Sequence, residues 1–270
     1  MFKGKAIYNP KGAAQEYSEW ACNFFTGCSN RCTYCYLKKG IGAKVLGGCK
    51  PELKKCFDSE QHALEIFIKE AKLNEFELQK HGLFLSFTTD PCLPETINLT
   101  SKVIDYCNWA FGPKIPVKIL TKSVEWVGRF TNRIKSLGSI DHPELVAFGV
   151  TLTGHDELEP GASSNQDRIE AMKKLHDAGF KTFASIEPII YFESSLEMIR
   201  QTVGYSDLYK VGLESGRKYN QNELGLFVHK VLQATENSNA KVYFKDSITR
   251  LIPNIKNKCV VNRDYNLFQS

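Results

Sequence analysis

No stretch of this 270-residue chain stays apolar long enough to span a bilayer, and its start lacks the blocks of a secretory signal. These absences lead us to expect a cytoplasmic protein with no membrane partner. Charge of one sign is also scarce. The 35 Lys and Arg against 30 Asp and Glu leave a net +5, which permits a polyanionic partner without requiring one. An even set of cysteines is missing as well. There are nine, and in a reducing compartment clustered thiols point to a metal rather than to a disulfide framework. Six of them (Cys22, Cys49, Cys56, Cys92, Cys107 and Cys259) are scattered with no second close-spaced set, so an auxiliary cluster has little support. With 42% hydrophobic and 24% charged residues, the composition is that of an ordinary globular chain.

What is present is Cys28-Ser29-Asn30-Arg31-Cys32-Thr33-Tyr34-Cys35, three thiols at Cys-x3-Cys-x2-Cys spacing within eight residues. Three thiols are one short of a closed tetrahedral zinc site, and no His lies close by. Zinc would need a remote ligand such as Cys22 or His62. A ferredoxin-like carrier would need a fourth cysteine at a set spacing followed by Pro, and that is absent. The spacing suits a cubane iron–sulfur cluster with three irons held by cysteine and the fourth open. An open iron is a place to bind and activate something.

Residues 1–20 read as an irregular lead-in, and the lysine- and glycine-rich stretch 38–55 as a mobile basic loop. Strands are expected at 21–25, 83–87, 117–120, 146–150, 181–186 and 208–211, alternating with helices. A seventh, at 241–244, lies outside the repeat. Helices are expected over 59–80, 97–111 and 222–234, and after Ser123 with Val127, Phe130, Ile134 and Leu137 facing inward. Ser163-x-x-Gln166 reads as a capping box for a helix stopped by Gly179, and Ser194-x-x-Glu197 opens another. Such alternation means parallel strands joined by right-handed crossovers. Six units fit either an open partial barrel or a doubly wound sheet, read as one domain over 1–270. In both, the site lies at the C-terminal ends of the strands. That rule brings the cysteine loop together with Thr88, Asp90, Thr121, Lys122, Thr151, Thr153, Glu187 and Glu214.

The cysteine signature, with the aromatic Tyr34 before its last thiol, resembles the radical S-adenosylmethionine (SAM) superfamily. Within it the chain is similar to the spore photoproduct lyase-like group. The supporting strings are Gly27-Cys28, Tyr34-Cys35-Tyr36, Thr88-Thr89-Asp90-Pro91, Leu120-Thr121-Lys122-Ser123 and Ile186-Glu187-Pro188-Ile189. The resemblance implies a partial (βα)6 TIM-like barrel over about residues 20–216, with a C-terminal extension at 217–270. It implies a [4Fe-4S] cluster on Cys28, Cys32 and Cys35, and SAM on the open iron. SAM would be cleaved reductively to a 5′-deoxyadenosyl radical that takes hydrogen from a substrate. By the same resemblance Lys122 meets the methionyl carboxylate, and Thr88 and Thr151 make polar cofactor contacts. Tyr34 flanks the adenine. At their strand ends, Glu187 and Glu214 either orient ribose hydroxyls or substrate, or partner a neighbouring lysine or a helix N-terminus. A reductase, flavodoxin or ferredoxin would supply the electron.

Asp90 either serves catalysis or fixes the turn before Pro91. Cys92 is either a hydrogen donor or an inert buried thiol. The chain also departs from the group. The repair lyases carry a hydrogen-donating cysteine where this chain has Thr88, and their DNA-binding hairpin has no counterpart here. The implied substrate is a nucleobase or nucleoside, free or in nucleic acid, undergoing repair-type cleavage or rearrangement. Modification of a peptide or small metabolite is the alternative, and a non-catalytic metal-bound nucleic-acid module is an alternative of another class. Lys245, Arg250 and Arg263, with the lysines of 38–55, form either a phosphate-contacting rim or merely solvated surface.

Overall fold

Short runs of Val, Ile, Leu and Phe, each followed by a helix, assemble as parallel strands because a crossover returns the chain to the same end of the sheet. The computed structural model describes residues 1–39, 42–109, 111–128, 130–131 and 142–269. Its strands are β1 (Ile7–Tyr8), β2 (Ala21–Cys22), β3 (Phe25–Thr26), β4 (Glu52–Leu53), β5 (Leu83–Leu85), β6 (Val117–Thr121), β7 (Val146–Thr151), β8 (Lys181–Ile189), β9 (Leu208–Leu213) and β10 (Lys241–Phe244). Eight of them form one sheet in the order β1-β2-β5-β6-β7-β8-β9-β10. Every pairing from β2 to β10 is parallel, and β1 is an antiparallel edge. β3 and β4 make a separate antiparallel pair. This mixed α/β architecture, with its largely parallel sheet, is that of a partial TIM-like barrel.

The helices are α1 (Ala43–Leu46), α2 (Glu60–Leu73), α3 (Glu75–His81), α4 (Ile97–Asn108), α5 (Asn165–Asp177), α6 (Phe192–Thr202), α7 (Gln221–Thr235) and α8 (Asp246–Thr249). They cover the outer face of the sheet. Along β6, Val117 and Ile119 point out into the core under α2 and α4, while Lys118 and Leu120 alternate inward. Phe67 on α2 is fully buried there between the rings of Phe24 and Tyr106, 5.9 Å from each. Truncating such a side chain costs about 3–5 kcal/mol. The concave face is lined differently, by Tyr17, Phe84, Ala147, Phe183, Leu208 and Tyr243. None of the described helices is long and apolar enough to cross a membrane.

Several local expectations are corrected. The lead-in is ordered: β1 pairs with β2, and a 3-10 turn over Gly12–Glu16 follows. Glu16 then reaches the far side of the sheet, accepting from Tyr243 Oη at 3.0 Å and from the Asp246 amide at 2.7 Å. The basic stretch 38–55 carries α1 and β4 rather than a bare loop. The helix expected over 59–80 breaks at Asn74, whose side chain donates to the Glu70 carbonyl at 2.8 Å and closes the first segment. The capping box lies one residue later, on Ser164 and Asp167, because the Ser163 hydroxyl is taken by the Val124 amide at 3.1 Å. Ser194 falls inside α6, whose N-cap is Tyr191. Strand β10, from the stretch outside the repeat, pairs with β9 and extends the same sheet. Ile134 and Leu137, expected on an inward helix face, lie outside the described residues.

Candidate active site

The cysteine loop is shaped by two close backbone approaches. Gly27 has φ +83°, and a Cβ there would lie 2.3 Å from the Lys50 carbonyl oxygen, so the turn into Cys28 requires glycine. The Cys28 amide then bonds the Gly48 carbonyl at 2.9 Å. On the other side Gly161 presses on Ser29, where a Cβ would sit 2.2 Å from the carbonyl oxygen, and its amide donates to Asn30 O at 3.0 Å. Arg31, at the middle of the loop, adopts the left-handed conformation with φ 55°.

The loop opens onto a cavity of about 410 Å³ at the C-terminal ends of the strands. Cys28, Cys32, Cys35 and Tyr34 line it, together with Asp90, Lys122, Thr151, Glu187 and Glu214 from successive strand ends. Thr88 and Cys92 are not among its lining residues. The Thr88 hydroxyl is turned to the Phe25 carbonyl at 2.5 Å. Cys92 is buried in the apolar core behind Asp90, where burial and then the Asp90 charge push its thiol well up.

Asp90 is the knot of the site. Its carboxylate accepts from Asn30 Nδ2 at 2.7 Å, Thr121 Oγ1 at 2.6 Å, the Lys122 amide at 2.7 Å and the Cys92 amide at 2.9 Å. With four donors on two oxygens it joins the cysteine loop to the end of β6. A second tie runs from Tyr34, whose hydroxyl donates to Glu159. Glu159 is paired with the fully buried Arg168, and Arg168 also donates to the Thr151 carbonyl at 2.6 Å. Burial, then the Glu159 charge, holds the Tyr34 hydroxyl far above its ordinary range, so it stays a donor.

A third group stands across the cavity. The register of β8 against β9 shifts between Ile186 and Ile189, an irregularity of the kind that re-aims a side chain. Glu187, inside it, accepts from Lys245 Nζ at 2.9 and 2.7 Å and from Tyr17 Oη at 2.7 Å. Lys245 is 2% exposed and so belongs to the cavity wall rather than to a surface rim. Tyr17, Asn30, Glu159, Arg168 and Lys245 were not singled out for the site from sequence. Lys245 alone had a readable signal, since it directly follows a strand.

The three thiols are free, and Asn30 Oδ1 and Thr89 Oγ1, on two residues lining the same cavity, have no partner among the described residues. The Lys122 ammonium stands 5.6 Å from the Tyr34 ring centroid, with no carboxylate at ion-pair distance among the described residues. Burial and then Asp90 push the Cys28 thiol up to about 12, and burial also raises Cys32, while Lys122 favours both thiolates. Coordination would reverse the thiol shifts. No three ligating side chains among the described residues converge on a single metal ion. A cubane asks for something else, with each sulfur on its own iron. The unused polar atoms and the unpaired ammonium fit a bound cluster with a polar, carboxylate-bearing cofactor.

The Radical SAM superfamily model matches residues 22–205. An uncharacterized protein of Methanocaldococcus jannaschii is 24% identical over 255 residues, covering 89% of this chain and 87% of that one. Spore photoproduct lyase of a Geobacillus strain is 23% identical over 208 residues, and the match spans 69% of this chain but only 53% of the lyase. A solved mutant of spore photoproduct lyase superposes with a TM-score of 0.63 at 17% identity, over 88% of this chain and 80% of that one. Another, with bound AdoMet and dinucleoside spore photoproduct, gives 0.57 at 18% over 86% and 65%. SuiB of Streptococcus suis, bound to S-adenosylmethionine, gives 0.54 at 15% over 87% and 52%. The fold is similar to that of spore photoproduct lyase. The family match covers more than half of the chain, which therefore belongs to the radical SAM superfamily of enzymes that work with a [4Fe-4S] cluster and SAM.

Proposed function

We propose that the cavity acts on a nucleobase or nucleoside, free or within a nucleic acid, by cleaving or rearranging a modified base. When bound, cluster and SAM supply one-electron cleavage of the sulfonium and abstraction of a hydrogen atom from the substrate. The chain's own residues do the rest. Cys28, Cys32 and Cys35 hold the cluster, and the unpaired Lys122 ammonium receives the cofactor carboxylate. Thr151 adds a polar contact beside it. Tyr34 is held rigid against the adenine side by Glu159 and Arg168. Asp90 acts as a positioning residue, because three of its four side-chain bonds go to the elements that carry the thiols and Lys122. Glu187 presents a carboxylate whose charge Lys245 balances.

The observation that carries the substrate class is an aromatic part of the cavity wall. Phe84 and Phe87 stack there at 4.4 Å with 15° between their planes, and Tyr17 lies 5.5 Å from Phe84. Phe84 is buried beneath, so the half-buried Phe87 ring is the face offered to a planar base, for which stacking contributes about 1–3 kcal/mol. The polar substrate contacts are Ser185, whose hydroxyl lies 2.8 Å from that of Tyr17, and Glu187. Spore photoproduct lyase, bound to a dinucleoside in its solved complex, supports the same class.

The test is deuterium transfer into 5′-deoxyadenosine by anaerobically reconstituted protein given SAM, reductant and labelled nucleosides, oligonucleotides, peptides or small metabolites. Transfer from a nucleoside-type substrate is expected. Transfer only from peptides or from non-nucleoside metabolites would sink the substrate class while leaving the enzyme class intact.

A further inference from the structure

At the opposite end of the strands lies a second cavity of about 250 Å³. Glu19 and His81, just ahead of β2 and β5, line it along with Lys118, Lys210, Ser18 and Arg263. Tyr17 is the residue it shares with the catalytic cavity. We propose that this basin binds a tetrahedral oxyanion, inorganic phosphate or the phosphate of a small phosphomonoester, between the ammonium groups of Lys118 and Lys210 and the Ser18 hydroxyl.

Two lysines meet here, close enough for the Lys118 charge to act on Lys210. Lys210 is 8% exposed; its Nζ donates to the Glu16 carbonyl at 2.6 Å and stands over the Tyr17 and Tyr243 rings at 5.0 and 5.2 Å. The Lys118 Nζ reaches only the Tyr17 carbonyl, at 3.4 Å. Among the described residues neither ammonium has a carboxylate at ion-pair distance. Uncompensated buried charge is costly, and a chain with no ligand here would gain by replacing either lysine. Burial pushes Lys118 down to about 8, and burial with the Lys118 and Lys245 charges pushes Lys210 well down. An anion between them would relieve both.

Ser18 is an independent sign. It is 5% exposed, lines the basin, and its hydroxyl has no hydrogen-bond partner among the described residues. The acidic groups nearby offset the pair only in part. Glu19 acts on Lys118 but is also engaged by His81 Nδ1 at 3.2 Å. Glu16 and Glu187 act on Lys210 but are ion-paired with Lys245, and Asp264, which also lines the basin, is exposed. Arg263 lies at the exposed rim, its guanidinium 3.2 Å from Gln15 Oε1, 3.4 Å from the Gly12 carbonyl and 4.0 Å from the Asp246 carboxylate. Two ammonium groups and a hydroxyl are donors only or donor-capable, which matches an oxyanion.

The test is isothermal titration of the full chain with inorganic phosphate and with phenyl phosphate, in chloride buffer of matched ionic strength. Saturable binding is expected for at least one. Tighter phenyl phosphate identifies a phosphorylated organic ligand, and equal or weaker binding identifies the free ion. Lys118→Gln should weaken the interaction about tenfold or more, the loss of one charge-assisted contact. Ser18→Ala should weaken it about two- to tenfold, and the unliganded variant should melt no lower than the parent, since its hydroxyl gives up no partner. No saturable heat from either anion, or the same affinity in parent and both variants, overturns the proposal.

Discussion

The Asp90 carboxylate accepts a 2.7 Å hydrogen bond from the Asn30 amide, sixty positions away in sequence and in the middle of the cysteine loop. The same oxygen receives the Lys122 amide at 2.7 Å. One side chain therefore sets the distance between the thiols and the ammonium proposed for cofactor binding.

Asp90→Asn exchanges an oxygen for an NH2 group that faces donors. One or two buried partners are left unpaired, at about 1–3 kcal/mol each. We expect a lower melting temperature and less iron retained per chain after reconstitution. Unchanged iron content would show that the tie does not position the loop.

The Glu159–Arg168 pair is fully buried on both sides. Removing one partner of such a pair costs about 3–5 kcal/mol where the other charge is stranded. Arg168→Met strands Glu159 and should destabilise by that order in urea melts, and Glu159→Gln by less, since Arg168 keeps Asp156 at 3.6 Å. The double variant should fall well short of the sum. Additive losses would mean that the two side chains act independently.

Lys122 has a different signature. Its ammonium has no carboxylate partner among the described residues, so Lys122→Met should leave the melting temperature near that of the parent. SAM affinity, read by titration calorimetry on reconstituted protein, should fall about ten- to a hundredfold for one lost charged contact. Lys122→Arg should recover part of it. Equal affinity in all three would remove Lys122 from the cofactor site.

Lys118 ionises at about 8 in the folded chain, down from its ordinary 10.5 because it is buried. Between those values the unfolded chain binds more protons, so stability rises with pH across that window. Below pH 8 the burden of the buried ammonium is present in full, and above 10.5 it is gone. In phosphate-free buffer, the melting temperature of the parent relative to Lys118→Met should climb between those pH values. A flat difference would mean that Lys118 is solvated.

The sequence was most legible where chemistry and strand ends coincide. Cys28, Cys32, Cys35, Asp90, Lys122, Thr151 and Glu187 follow hydrophobic runs whose direction is dictated by crossover handedness, and all of them line one cavity. Thr88 obeys the same rule, yet its hydroxyl turns back to Phe25, a choice made by rotamer rather than by pattern. Residues such as Tyr17, Glu159 and Arg168 carried no local signal. Tyr17 meets Glu187 across 170 positions, and Arg168 meets Glu159 through a loop of irregular path. Only the packed fold brings such partners together. Helix ends failed for a related reason, as at Ser163, where a tertiary partner claimed the hydroxyl that pattern had assigned to a cap.

Glu16 has an implication for how the chain is made. It is held by Tyr243, Lys245 and Asp246, more than two hundred positions downstream, while β1 beside it belongs to the opposite edge of the sheet. Contacts of such separation form late, after the entropy of closing the intervening chain has been met. During synthesis Glu16 must therefore wait for these partners until β10 has followed it, although β1 can already pair with β2 and Glu70. Ala13, Ala14 and Tyr17 line the catalytic cavity, so its wall is complete only when the two distant segments meet.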